Sequence, residues 1–185
     1  MIHNNTLIEN IRILTQVTQT ICEENYLEKA TTIPLSRNQF FVLTILYMSG
    51  TKTLSKLAEI LKISNAAAGK NIEKLLSHQL IERKNPVDDR RTLNITILSK
   101  GKRIVEKYQD VKESYQNSTL LAFSDDEKKL FTQLIRKYIR NSIHPEENLD
   151  LICLLCNGTC GEECVIKSCK GLCSRHPQRE DEEAK

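Results

Sequence analysis

Three observations predict a mainly α fold with a small β-wing. Apolar residues recur at helical spacing along most of the 185 residues. The period changes to alternation only after Leu80, where Ile81, Arg83, Leu93, Ile95 and Ile97 alternate with polar residues as in two half-buried strands. Two capping signals, Ser36 with Gln39 and Ser124 with Glu127, mark where helices begin.

Taken in order, residues 5–28 form a long first helix, with Leu7, Ile8, Ile11, Leu14, Val17 and Ile21 on one stripe. Thr31 to Pro34 break it. Ser36 then opens a helix carrying Phe40, Leu43, Leu46 and Tyr47, and Gly50 ends that helix. Leu54, Leu57, Ala58 and Leu61 make a short helix, closed by a turn at Ile63 and Ser64. Ser64 is the N-cap of the next helix, whose inner face holds Ala68, Ile72, Leu75 and Leu76. Its outer face holds Asn65, Ala66, Gly69, Lys70, Glu73 and Lys74; Asn71 is a further donor, turned either to the outer face or to the core side. Between the strands lies NPVDDRR, a turn with two carboxylates and two arginines. Helix, turn, helix and a hairpin with a basic tip make a winged helix-turn-helix.

Beyond the hairpin, residues 102–118 form a helix through Ile104, Val105, Tyr108, Val111 and Tyr115. Ser99 stands where a cap for it is expected. A last helix follows Ser124, with Asp125 and Asp126 in its first turn and Leu130, Leu134, Ile135, Tyr138 and Ile139 behind them. The helices flanking the winged unit lack a local core large enough for them, so two copies are expected to intertwine as a homodimer. His144-Pro145 marks the boundary. The expected domains are 1–145, the winged unit with its dimerisation helices; 146–176, a cysteine-rich module; and 177–185, a mobile acidic tail.

These residues resemble the MarR-type transcriptional regulators. The resemblance rests on Leu57-Ala58, Ile63-Ser64, Leu75, the LIERK opening the hairpin, Asp89-Arg90-Arg91 and Gly101, and extends over roughly residues 5–142. Gln79 stands where the family usually has glycine before the first strand, so strain is expected in that turn. Ile97-Leu98 replaces the family's Leu-Thr, and Ala66 to Ala68 make the front of the reading helix bland. The resemblance implies a dimer that places two such helices on two half-sites of double-stranded DNA. Asn65, Lys70 and Asn71 are then the donors toward base edges, with Ala66 and Gly69 on the same DNA-facing surface. Ser64 and Lys74 meet phosphates, and Arg90 or Arg91 enters the adjacent minor groove. Asp89 orients an arginine. Some relatives in the family respond to small lipophilic or phenolic effectors, and some sense oxidants through a first-helix cysteine, a role that would fall to Cys22.

Charge agrees with this reading. The net formal charge is only +3, yet residues 51–103 hold 12 Lys and Arg against 5 Asp and Glu, a local excess of +7. The sequence has no apolar run near 18 residues and no leading signal segment, so neither a membrane span nor export is expected, and a cytoplasmic location is. His3, His78 and His144 are scattered, and no nucleophile–base pair or phosphate loop stands out. Enzymatic function is not expected.

Cys153, Cys156, Cys160, Cys164, Cys169 and Cys173 crowd the C-terminal stretch, with His176 close behind. Their spacing, C-x2-C-x3-C-x3-C-x4-C-x3-C, lets neighbouring thiolates converge while Gly158, Gly161 and Gly171 bend the chain. In a reducing compartment metal is favoured over structural disulfides. Four thiolates can close a zinc site or hold an iron–sulfur cluster. The cluster is preferred because a redox-labile centre gives a regulator a signal; thiol–disulfide switching is the remaining option. Two rival functions stay open. One is a repressor of lipophilic or phenolic response with a structural zinc tail, and the other is a metal-carrying redox protein that uses its winged domain for protein contact.

Overall fold

The computed structural model of the chain describes residues 4–84, 94–144, 149, 152–153 and 164–166. A long N-terminal helix runs as α1 (Asn4–Gln16), a π-helical segment (Val17–Cys22) and α2 (Glu23–Ala30). The π turn was not anticipated. Most apolar side chains before it are exposed, with Ile11 half-buried, whereas Tyr26, just after it, is buried.

The second helix, α3 (Arg37–Ser49), is the centre of the fold. Ser36 and Gln39 close a reciprocal capping box: the Gln39 amide donates to Ser36 Oγ at 3.4 Å, and the Ser36 amide donates to Gln39 Oε1 at 2.9 Å. Behind this cap Val42, Leu43, Ile45 and Leu46 are at most 1% exposed. Each such side chain contributes roughly 1.5–3 kcal/mol relative to an exposed one. Gly50 ends the helix at φ 71°.

A two-residue strand, β1 (Lys52–Thr53), precedes α4 (Leu54–Leu61), and Thr53 caps that helix by accepting from the Lys56 amide. Lys62, at φ 54°, supplies the left-handed turn into α5 (Asn65–Ser77), whose N-cap is Ser64 as expected. Gln79 adopts φ 57°, the left-handed conformation that glycine would take without strain. The sheet closes with β2 (Ile81–Lys84) and β3 (Asn94–Ile97), all antiparallel in the order β1-β3-β2. Ile81 pairs with Ile97 and Arg83 with Ile95, which turns both isoleucines of β3 inward. The wing tip, including Asp89, Arg90, Arg91 and Leu93, lies outside the described residues.

Helix α6 (Ser99–Leu120) packs on α2 and α3. Its N-cap is Leu98, without a side-chain cap, so Ser99 is the first helical residue and not the cap. The reason is the Leu98 amide, which donates to Leu80 O at 2.9 Å and holds Leu98 extended until the helix starts. Tyr26, Phe40 and Tyr108 form an aromatic cluster there, with ring centres 4.3 Å apart for Phe40–Tyr108 and 6.0 Å for Tyr26–Tyr108.

The last helix, α7 (Asp125–Ser142), starts with the Ser124–Glu127 capping box and has no buried residue. A second, small cluster gathers near its end. Leu149, Cys153 and Ile166 are buried there, with Ile139, Ile143, Cys164 and Val165 packed against them. No helix among the described residues is long and apolar enough to cross a membrane.

Candidate nucleic-acid interface

Helix α5 owes its orientation to Ala68, Ile72 and Leu75, which are at most 1% exposed and bind it to the core. That anchoring turns the opposite face outward. Ser64, Asn65, Ala66, Lys70, Glu73 and Lys74 are exposed, Gly69 and Ala67 are half-buried, and Asn71 is half-buried between the two faces. Ser64 accepts from the Ala67 amide at 3.2 Å, which uses its side chain for the cap but leaves the residue exposed at the helix tip. The free amides of the first turn and the helix dipole make this tip favourable for a phosphate.

Two exposed cations distinguish themselves by position. Lys70 projects from the outer face and has no ion-pair partner among the described residues. Lys74 lies at the rim of a cleft of about 650 Å3 between α2, the 31–36 connection and α3. Glu23, Glu24, Glu28 and Arg37 also line it, so its rim is mainly acidic. Arg37 is paired with Glu23 at 3.0 Å.

One contact had no signal in the spacing. Arg83 of β2 reaches back to Glu73 of α5, with 2.7 Å between guanidinium and carboxylate. Both residues are partly exposed, so the pair is worth on the order of 0–1 kcal/mol. Its consequence is geometric: it ties the outer face of α5 to the base of the hairpin. Opposite charges on the two elements were visible in the sequence, but their pairing requires the fold. At the other end of α5, Lys100 Nζ donates to the His78 carbonyl at 3.0 Å, answering the negative end of the helix dipole.

Among the described cysteines, Cys153 is buried, and Cys22 and Cys164 are half-buried. Cys22 ends the π segment, and its neighbour Tyr26 has its phenol pKa raised, by burial first and then by a hydrogen bond with Cys22. Cys153 and Cys164 share the small cluster at the end of α7. Among the described residues no group of three His, Cys, Asp or Glu side chains converges as a metal site. Cys156, Cys160, Cys169, Cys173 and His176 lie outside them.

The winged unit has known counterparts. Residues 35–93 match the model of the MarR family. An HTH-type transcriptional regulator of Bacillus subtilis, YpoP, is 28% identical over 103 residues, 56% of this chain and 73% of the relative. A MarR family protein from Bacillus stearothermophilus has a structure similar to this one, with a TM-score of 0.60 at 22% identity, over 75% of this chain and 96% of the other. A variant of MepR from S. aureus, crystallised bound to an oligodeoxyribonucleotide, gives a TM-score of 0.58 at 17% identity, over 73% and 96%. The fold is a winged helix-turn-helix of the MarR type. The regulators of that family are DNA-binding proteins, not enzymes.

Proposed function

We propose that this chain is a sequence-specific, DNA-binding transcriptional regulator that acts in the cytoplasm as a homodimeric repressor. The observation that carries the reading is the outward face of α5, capped by Ser64 and tied to the hairpin through Glu73 and Arg83, inside the segment matched to the MarR family. A MepR variant of similar fold is bound to an oligodeoxyribonucleotide, which supports the same use of the unit here. In this reading Asn65, Ala66, Gly69 and Lys70 face base edges in the major groove, and Ser64 and Lys74 contact phosphates. The wing carries Arg90 or Arg91 into the minor groove, with Asp89 orienting an arginine.

The dimer is supported by what the single chain leaves uncovered. Leu7, Ile8, Leu14 and Ile21 before α2 are at least 50% exposed, and so are Leu130, Leu134 and Tyr138 on α7. Apolar stripes of that extent on both terminal helices suit a partner with the same stripes. The test is anisotropy of labelled duplexes recovered by selection from a random pool, read across a salt series. Arg91→Ala should weaken binding and lower the log–log salt slope by about one. Unselective binding with the slope unchanged in the variant would remove both the wing and the regulator.

The cysteine stretch is the proposed sensor, holding an iron–sulfur cluster or zinc. Six thiolates between residues 153 and 173 form a soft donor set suited to either. The support from packing is that Cys153 and Cys164 meet in one cluster against Ile139 and Ile143, so a centre there would be seated on α7. Anaerobic purification with iron, zinc and acid-labile sulfide measured on one sample decides the identity. Iron with matching sulfide assigns a cluster, and zinc without sulfide assigns a staple; neither leaves thiol chemistry. A second reading, a regulator answering a small effector, is favoured by the 650 Å3 cleft at Lys74. Its mark is an organic ligand that releases DNA equally from wild type and from a protein with all six tail cysteines replaced by serine.

A further inference from the structure

The side chains on the reading face of α5 restrict which bases it can recognise. Ala66, Gly69, Lys70 and Glu73 follow one another at spacings of three, one and three along one face, and Asn65 stands beside them. The face has no arginine and no glutamine. Glu73 is held by Arg83 at 2.7 Å, so its carboxylate is occupied and poorly placed to accept from a cytosine amino group. Asn65 is exposed and its side chain makes no hydrogen bond among the described residues, which leaves its amide free for the paired donor and acceptor of adenine. What remains at the centre is a methyl group at Ala66 and a bare α-carbon at Gly69.

Gly69 is informative because nothing among the described residues requires it. A Cβ built there would meet only Leu54 Cδ1, at 3.8 Å, an ordinary contact, and the residue does not have a positive φ. Glycine in the second turn of a helix weakens it relative to alanine. Absent an internal reason, the missing side chain leaves room for something that approaches α5 from outside. Thymine presents a methyl group into the major groove, and a small apolar residue is its ordinary partner.

We infer that α5 reads thymine methyl groups through Ala66 and Gly69, with Asn65 selecting a neighbouring adenine, so that the operator half-sites are A·T-rich under the helix. The inference rests on the DNA-binding reading and goes further by specifying the bases. Lys70, an exposed cation on that face with no ion-pair partner among the described residues, reaches a phosphate or a guanine at its far side.

The experiment uses the full chain and half-sites recovered by selection. Each thymine in a recovered half-site is replaced in turn by deoxyuridine, which removes only the methyl group. At one or more positions wild-type affinity should fall about fourfold, the worth of one methyl taken out of a buried contact. The same replacement should cost Ala66→Gly markedly less, since the methyl's partner is already gone. Gly69→Ala should melt no lower than wild type yet bind the selected duplex at least fourfold more weakly. Half-sites lacking thymine, or deoxyuridine without effect at every position, overturn the inference while leaving the regulator standing. So does Gly69→Ala binding unimpaired. Failure to recover any preferred sequence overturns both.

Discussion

Two glycines on two helices should respond to alanine with opposite sign, and the structure gives the size of each response. Gly101 lies in the first turn of α6 and is buried. A Cβ there would lie 2.5 Å from the Leu80 carbonyl oxygen and 2.9 Å from Ile97 Cγ1. The first neighbour is backbone and cannot rotate away, so β2 or α6 has to move. Overpacking of this kind costs about 1–3 kcal/mol. The same movement strains the Leu98 amide bond to Leu80 O, worth about 1 kcal/mol, while alanine returns up to about 1 kcal/mol of helix propensity. The net expectation for Gly101→Ala is a loss of about 2 kcal/mol. At about 2–4 °C per kcal/mol for a chain of this size, that is a melting temperature lower by roughly 4–8 °C. At Gly69 propensity acts almost alone, because the nearest contact is an ordinary one, and Gly69→Ala should raise the melting temperature by roughly 2–4 °C. The assay is thermal unfolding by far-ultraviolet circular dichroism, with both variants and wild type at one protein concentration in reducing buffer. A Gly101→Ala protein melting at or above wild type would refute the steric argument, and a Gly69→Ala protein melting well below it would refute the account of α5.

Three further outcomes follow from particular residues. Burial first, then the charge of Glu23, holds the Tyr108 phenol pKa above its ordinary 10.0; the folded state therefore keeps the proton more tightly, and stability is complete below that pH and declines above it. Tyr108→Phe should flatten part of that alkaline decline, and an identical decline in chemical-denaturation midpoints between pH 9 and 11 would count against the burial argument. Gln79 sits at φ 57°, so Gln79→Gly should stabilise the chain by about 0.5–1 kcal/mol in urea unfolding, and a lower midpoint would show that its side chain matters more than its backbone. Glu127 accepts from the Ser124 amide and then from its hydroxyl, which lowers its pKa below the ordinary 4.5; its contribution is present above that pH and lost as pH falls through the lowered value. Glu127→Gln keeps an acceptor but no titrating charge, so it should reduce the loss of helicity on acidification, and an unchanged acid profile would mean the cap does not control the start of α7.

Capping chemistry was legible because it is local. Ser36, Ser64 and Ser124 each lie three residues before the amide they satisfy, and each appears in the structure as read. The core faces of α3 and α5 were legible for a similar reason, since Leu43, Leu46, Ile72 and Leu75 repeat at helical spacing. Features requiring a distant partner were not. Strand β1 is two residues long, too short to show alternation, and exists because Lys52 and Thr53 pair with Ile95 and Asn94. Ser99 looked like a cap by its residue type, yet the bond from Leu98 to Leu80 starts the helix one residue earlier than a Ser99 cap would. The π segment has no compositional mark in VTQTIC. For the candidate site, the outward residues of α5 were named from periodicity alone, whereas the Glu73–Arg83 tie became visible only when the strand was placed beside the helix. In the tail, the cysteine count gave the donor chemistry, but a run of short spacings does not specify which sulfurs converge.

In the proposed regulator, the rigidity of the winged unit limits where a signal can act. Helix α3 is buried along most of its length, and α5 is bound to the core by side chains at most 1% exposed, so a change of shape inside the unit would break the packing that holds the reading face. Helix α7 differs: none of its residues is fully buried in the single chain, and it meets the tail cluster through Ile139 near its end. In that proposal a signal from the cysteines would act by changing how α7 packs on a second copy, which would alter the spacing of two intact reading helices. The energies are compatible with that route. Moving an equilibrium from 1:99 to 99:1 requires a difference of about 5.5 kcal/mol between states. An exposed ion pair such as Glu73–Arg83 supplies about 0–1 kcal/mol and cannot do it alone. A thiolate centre that binds with about 10–16 kcal/mol can, provided that roughly half of its binding energy is realised in only one arrangement of α7. The demand on the proposed centre would thus be for selectivity between two packings and not for affinity, and Cys153 and Cys164, which pack in one cluster with Ile139 and Ile143, are where it would be gained.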